Sequence, residues 1–311
     1  MAAEPMALEQ PVLLVGGNGF YGLALARRLA SIGREVHVVS RSTEPGERDG
    51  IRFHRGSQDD PDVMRPLLQH CPVVVHLAST STPGSSARDP VHDTTCNVLP
   101  AARLLEIAAA SAPARLLVVS SGGSVYGNPV KVPVDETAPL NPLSYHAAGK
   151  VALEALFQAF AHAHGTSLAV LRPSNLYGPG QPLRNGFGLV RTLLERALRD
   201  EPVEIWGDGS AVRDYIYIDD ADDACERLIG QPEVAGVFNL RSGEGTSIVE
   251  MVDLVSQVTG KVLEVVRRPG RSTDVRVVVL DGSRMQRRTG WKEQVTLLQG
   301  LARSWNSLSA L

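Results

Sequence analysis

The sequence predicts an α/β fold: a doubly wound parallel sheet followed by a smaller C-terminal α/β lobe. Three observations point to it. Short apolar runs alternate with helix-length segments through the first half of the chain. Runs such as P-V-L-L-V-G and C-P-V-V-V-H-L are apolar without a break, so helices are expected to bury both faces of those strands. After about Pro173 the texture changes to shorter, mixed elements behind a loop rich in glycine and proline.

Taken in order, strands are predicted at 12–16, 35–39, 51–54, 73–77, 115–120 and 167–171, with helices at 21–32, 62–69, 93–110 and 146–164. Right-handed crossovers join such units into a doubly wound sheet. Beyond Y-G-P-G-Q-P-L-R-N-G-F-G come strands at 203–206, 214–218, 236–240, 262–266 and 275–280, and helices at 247–258 and 295–308. The expected division is a large unit at 11–173, with 214–240 returning to it, and an interleaved lobe at 174–311.

Length and composition bound the function. The 311 residues suit about two domains of roughly 100–200 residues. With 43% hydrophobic and 21% charged residues the chain is globular rather than disordered. A net charge of −3 without a long basic run argues against a nucleic-acid polymer or a membrane surface as partner. Cys71, Cys96 and Cys225 are isolated, which fits a reducing compartment and suggests no metal site. The N-terminal stretch lacks the basic start of a signal peptide, and no apolar run approaches the ~18 residues of a membrane span. The cytoplasm is the expected location.

Gly16, Gly19 and Gly22 follow the first strand at intervals of three and open a helix. Without a Cβ such a loop turns tightly, comes close to a pyrophosphate and lets the helix pack on the strand. The N–H groups at the helix start then face the phosphate. The second strand ends H-V-V-S-R-S, placing Ser40 and Arg41 where NAD-binding folds carry an acid. An Arg fork pairs with a 2′-phosphate that a carboxylate repels, so NADP(H) is favoured over NAD(H).

These motifs resemble the extended short-chain dehydrogenase/reductase family, specifically its nucleotide-sugar epimerases, dehydratases and ketoreductases, built on a Rossmann unit. The resemblance covers nearly the whole chain. It rests on the glycine loop, H-L-A-S at 76–79, Asn97 in C-N-V-L-P-A and S-S-G-G-S-V-Y-G at 120–127. To these add R-P-S-N-L-Y-G-P-G-Q at 172–181, R-D-Y-I-Y-I-D-D at 213–220, G-R-S-T-D-V at 270–275 and T-G-W at 289–291. It implies a cofactor site drawn from Gly16, Gly19, Phe20, Tyr21, Gly22, Ser40, Arg41, Leu77, Ala78, Asn97 and Lys150. It implies a nucleoside-diphosphate sugar held by Ser79, Ser81, Tyr126, Asn175, Arg213, Arg271 and Asp274. Two Arg can fork onto a pyrophosphate, and Asp274 can accept from ribose hydroxyls. A homodimer packed through helices near 99–110 and 151–160 is implied as well.

The reaction centre departs from the family pattern. Four positions before Tyr126 the family carries Ser or Thr, whose hydroxyl bonds the reacting sugar oxygen; here stands Gly122, and the flanking Ser121 and Ser124 are the candidates to supply that donor from another angle. The family's Tyr-x-x-x-Lys reads P-L-S-Y-H-A-A-G-K, with His146 four before Lys150 and Tyr145 five before. At ~100° per residue His146 lies about 40° from Lys150 around the helix and Tyr145 about 140°. His146 thus takes the place of the Tyr, unless an irregular helix start swings Tyr145 in. A Tyr must be lowered by roughly three units, about 4 kcal/mol, to act as a base near neutrality, whereas a His needs no such help. A neighbouring ammonium favours neutral imidazole. Asp219, Asp220, Asp222 and Asp223 read as a helix N-terminal charge cluster rather than a metal site.

The expected activity is NADPH-dependent reduction of a nucleoside-diphospho-4-keto-6-deoxysugar at C4. The alternative is a hexose 4-epimerase holding NAD tightly. A third possibility, from another class, is a cofactor- or sugar-nucleotide-binding protein that has lost turnover.

Overall fold

Seven parallel strands and one antiparallel edge strand make the main sheet of the computed structural model, which describes residues 10–82, 89–184, 187–270 and 275–310. The strands are β1 (Val12–Val15), β2 (Val36–Ser40), β3 (Gly46–Arg48), β4 (Ile51–Arg55), β5 (Val73–His76), β6 (Arg115–Val119), β7 (Ser167–Pro173) and β8 (Asn175–Tyr177). They continue with β9 (Val203–Trp206), β10 (Val212–Tyr217), β11 (Gly236–Leu240), β12 (Gly245–Ser247), β13 (Val265–Arg268) and β14 (Val277–Val278). The helices begin with α1 (Phe20–Ser31), α2 (Pro61–His70), α3 (Pro90–Asp93), α4 (Leu99–Ala108), α5 (Gly122–Val125) and α6 (Tyr145–His164). After them come α7 (Leu189–Arg199), α8 (Ile218–Gly230), α9 (Ile248–Thr259), α10 (Ser283–Thr289) and α11 (Leu297–Ser309).

The main sheet runs β11-β7-β6-β5-β1-β2-β4-β3. The chain steps outward from β1 to β2 and β4, then jumps back to β5 on the other flank of β1. That reversal opens a crevice at the carboxyl ends of β1 and β5, where α/β sheets hold ligands. Alternation along each strand sends Val12 and Leu14 into one core with Leu25 and Leu29 of α1, and Leu13 and Val15 into another with Leu153 and Phe157 of α6. Both faces are buried, as the unbroken apolar runs require.

In the second half, β12-β10-β14 with β8 beside β10 form a small sheet, and β9 pairs with β13. Between them, α8 packs on α1 and β11 extends the main sheet beside β7. The predicted strand 214–218 is therefore β10 of the small sheet, whereas 236–240 belongs to the large one.

Two departures from expectation have local causes. The single helix predicted at 93–110 is broken: α3 runs into a π-helical turn at Thr94–Val98 before α4. Thr94 and Thr95 bond their hydroxyls back to the Pro90 and Val91 carbonyls, a habit of Thr that competes with regular helix. Strand β3 escaped prediction because G-E-R is polar and exposed and carries no apolar alternation. The three cysteines are free thiols, and no described helix is long and apolar enough to cross a membrane.

Candidate active site

The glycine loop leaves β1 and enters α1 at the crevice. Gly16 has φ +79°, and a Cβ there would lie 2.5 Å from Ala78 Cα, so only glycine fits. A Cβ on Gly22 would lie 2.5 Å from Gly17 Cα, which lets α1 close on the loop. Gly19 differs: a Cβ there meets only the Gly16 carbonyl, at 3.7 Å. Its bareness serves nothing in the protein, but it would let a pyrophosphate approach the helix start. No side chain caps α1 and no acid stands in its first turn, so the N–H groups after Gly19 suit an anion. The loop thus fits a dinucleotide. Tyr21 needs correction as a side-chain ligand: its phenol donates to the Ala221 carbonyl at 3.0 Å inside the core, leaving only its backbone N–H for a phosphate.

At the end of β2, Ser40 Oγ sits 3.4 Å from Ser42 Oγ, which Asn18 also reaches. Arg41 is exposed and forms no ion pair among the described residues. Leu77 and Ala78 follow β5; Leu77 N–H donates to the Val15 carbonyl, which fixes Ala78 beside Gly16.

Helix α6 decides the register question. Ser144 caps it, accepting from Ala147 N–H, and the helix is regular from its first turn. His146 is buried, 9% exposed, and shares a face with buried Lys150; Tyr145 is 43% exposed on the other side. Lys150 donates from Nζ to the Val119 carbonyl at 2.9 Å, at the end of β6. Burial pushes Lys150 down to about 8. Burial, with the Lys150 charge, pushes His146 down to about 4, against a smaller opposing pull from Asp93.

A buried polar chain supports the imidazole. Ser81 Oγ donates to Asp93 Oδ1, and His146 Nδ1 lies 3.0 Å from the same Ser81 oxygen. Since the Ser81 proton goes to the carboxylate, Ser81 accepts from Nδ1–H, and Nε2 carries the lone pair. Asn97 locks the arrangement. Its Nδ2 donates to Ser81 and Asp93, both at 3.1 Å, and its Oδ1 accepts from Thr80 N–H and Oγ1–H. All four hydrogen-bonding positions of its side chain are used within the protein, so the Asn97 side chain scaffolds the 80–81 loop. The π turn aligns Asp93 and Asn97, four residues apart. Gly149 makes room: a Cβ there would overlap Asp93 Oδ2. Asp93 was missed in the sequence, although D-x-x-x-N on a helical segment was a usable signal.

The gap at Gly122 has a steric origin. A Cβ there would lie 2.5 Å from Leu280 Cδ1 and 2.6 Å from the Arg172 carbonyl, so neither Ser nor Thr can stand at that position. Ser124 Oγ bonds the Ser121 carbonyl at 3.4 Å. Ser121 Oγ, half-buried at the start of α5, has no protein partner among the described residues. It lies two residues past the Val119 carbonyl that holds Lys150. Tyr126, expected to bind substrate, is 1% exposed; its phenol donates to Asn239 Oδ1 and accepts from Arg172, which is paired with Glu154 at 2.6 Å. That network belongs to the core, and Tyr126 is corrected to a structural residue.

On the lobe side, Asn175 donates to the Asp214 carbonyl at 2.9 Å, and its amide abuts Gly123. Arg213 donates to the Val212, Val275 and Arg276 carbonyls, directly after the segment that carries Arg271 and Asp274. Arg271 and Asp274 themselves lie outside the described residues. Ser79, exposed after β5, bonds the Ser81 carbonyl. His76 is fully buried against Phe157 and donates from Nε2 to Gln58 Oε1 at 2.8 Å. The aspartates of α8 serve the fold: Asp220 accepts from Gln294 and Val295 N–H, and Asp223 pairs with Arg28 and Arg227.

A family model described as the NAD dependent epimerase/dehydratase family matches residues 12–240. A UDP-glucose 4-epimerase of Mycolicibacterium smegmatis is 33% identical over 301 residues, covering 94% of this chain and 96% of that protein. The structure of a Thermotoga maritima UDP-glucose 4-epimerase with UDP-glucose superposes with TM-score 0.89 at 32% identity, covering 96% of this chain and 99% of the other. A Thermus thermophilus UDP-glucose 4-epimerase in complex with NAD gives TM-score 0.88 at 30% identity, over 96% and 98% of the two chains.

Proposed function

The chain belongs to the NAD-dependent epimerase/dehydratase family, sugar-nucleotide enzymes of the extended short-chain dehydrogenase/reductase type, and from that premise we propose that it interconverts the C4 epimers of a UDP-hexose. His146 is the acid/base, Lys150 its electrostatic partner and Ser121 the hydroxyl nearest the reacting oxygen. The observation that carries this reading is the common face of α6 that buries His146 and Lys150 together at the crevice, with Tyr145 turned to solvent.

The preference for an NADPH-dependent ketoreductase is withdrawn in favour of the epimerase alternative. Arg41 stays exposed and open to a 2′-phosphate, so what favours the epimerase are the relatives, which are named as 4-epimerases, one of them solved with NAD. The residues that would hold NAD are Gly16, Gly19 and Gly22, the first N–H groups of α1, Ser40 and Lys150. When bound there, NAD supplies the acceptor and donor of hydride. His146 Nε2 takes the C4 hydroxyl proton as C4 is oxidised, and returns it when the turned keto sugar is reduced. Asp93, through Ser81, holds Nδ1–H in place and favours the imidazolium that forms. Asn175, Arg213, Arg271 and Asp274 hold the nucleoside diphosphate in the lobe of residues 174–311.

A second reading has one observation in its favour. Holding a proton on a group lowered to about 4 costs roughly 4 kcal/mol at pH 7, a burden suited to a binding protein that no longer turns over. One experiment separates them. Purified chain incubated with UDP-glucose is expected to form its C4 epimer, seen by the anomeric proton signals, and nucleotide released on denaturation is expected to be NAD rather than NADP. Bound nucleotide without any epimer across a panel of UDP- and dTDP-hexoses supports the binding protein instead. The outer faces of α4 and α6 are the proposed homodimer contact, which sedimentation at micromolar concentration tests.

A further inference from the structure

Two of the chain's eight histidines meet one carboxylate far from the crevice, where the start of β2 meets the end of α2, with a third histidine behind them. His37 Nε2 and His70 Nε2 each lie 3.0 Å from the same atom, Glu35 Oε1. The ligating atoms of these three side chains all fall within 4.8 Å of one another. His54 backs the cluster, its Nε2 2.9 Å from His37 Nδ1 and the two rings stacked at 5.1 Å. The three histidines line an open groove of about 610 Å³. We propose that Glu35, His37 and His70 bind a divalent transition-metal ion, zinc by the chemistry of its ligands.

Two imidazoles and a carboxylate suit zinc, whereas magnesium and calcium prefer oxygen throughout. Bonds of ~2.0–2.1 Å in a tetrahedron set ligand atoms roughly 3.3–3.5 Å apart; Glu35 and each histidine need to open by a few tenths of an ångström, and the two histidines, within 4.8 Å of each other, have to come to the same spacing. The ion replaces the protons that the two imidazoles now share with Glu35. His54 serves the site by accepting from His37 Nδ1–H, which turns the Nε2 lone pair toward the ion. The three ligands leave a fourth position open to water from the groove. Arg52 opposes the ion, since its guanidinium touches Glu35; it is half-exposed and already reaches Glu47 at 3.5 Å, where it stays paired after moving.

Helix α2 runs back against the strands, so this site lies at the opposite end of the sheet from the glycine loop. An ion there cross-links β2 to α2. Cysteine spacing gave no sign of it; Glu35-x-His37, on one face of an extended segment, was the available signal.

Cobalt(II) and zinc titrations of the tag-free, NAD-loaded chain test the proposal. Wild type is expected to take up one equivalent with micromolar affinity and to show the visible bands of low-symmetry cobalt(II). His70→Ala and Glu35→Gln, both at accessible positions, are expected to weaken binding by at least about tenfold while bound NAD and far-ultraviolet dichroism stay unchanged. Absence of saturable binding by wild type below millimolar ion, or equal binding by either variant, overturns it.

Discussion

An imidazole in place of a phenol reverses the problem of matching an acid/base group to neutral pH. A tyrosine has to be brought down to serve as base, whereas His146 already stands at about 4 and has to be helped to hold a proton. Asp93 is the charge that helps, acting through Ser81. Asp93→Asn keeps the shape and removes the charge, and is expected to lower kcat about tenfold, some 1.4 kcal/mol, with KM nearly unchanged; steady-state kinetics check this. The pH profile follows from the same groups. His146 is neutral above about 4 and Lys150 charged below about 8, so kcat is expected to be flat from about pH 5.5 to 7 and to change with a midpoint near 8, with no inflection near the ordinary histidine value of ~6.5. At this scale the sequence was legible where helix periodicity spoke, as for His146 against Tyr145. It was not where partners meet from distant segments: Asp93, Ser81 and His146 share no local pattern, and the saturation of Asn97 is visible only in three dimensions.

At the scale of elements, the loop between β6 and α5 shows that an absent catalytic residue can be a packing requirement. Gly122 sits under Leu280 and against the Arg172 carbonyl. Gly122→Ser, which restores the family residue, is expected to destabilise the chain by about 1–3 kcal/mol through overpacking and to give no gain in rate. Urea denaturation and the epimerase assay measure the two effects. Gly16→Ala puts a side chain at φ +79° against Ala78 and is expected to release bound NAD, read from the nucleotide content of the purified protein. Strands β1, β5, β6 and β7 could be read from their apolar runs because both faces are buried. The π turn could not, since Thr hydroxyls bonding backward leave no period in the sequence.

Across the whole molecule, buried neutral histidines tie stability to pH. Burial and the Lys150 charge push His76 down to about 3 and His146 to about 4, below the ~6.5 of an unfolded chain. Below pH 6.5 the unfolded chain binds more protons, so this stability is full above 6.5 and is lost as pH falls toward 4, at up to ~1.4 kcal/mol per pH unit for each group. Asp222, whose carboxyl burial pushes up to about 8, opposes this in the same window, offsetting roughly one histidine; melting temperature is expected to fall modestly between pH 7 and pH 5, and His76→Gln to abolish or reverse that fall. The sheet order and the return of β11 to its edge follow rules that sequence alternation makes visible, whereas the residues that close the crevice come from both halves of the chain. The role of His146 is tested by the activities of two variants in the same epimerase assay. His146→Ala is expected to lose at least about a hundredfold in kcat while Tyr145→Phe stays within about threefold of wild type. Loss of turnover in Tyr145→Phe with His146→Ala still active contradicts it.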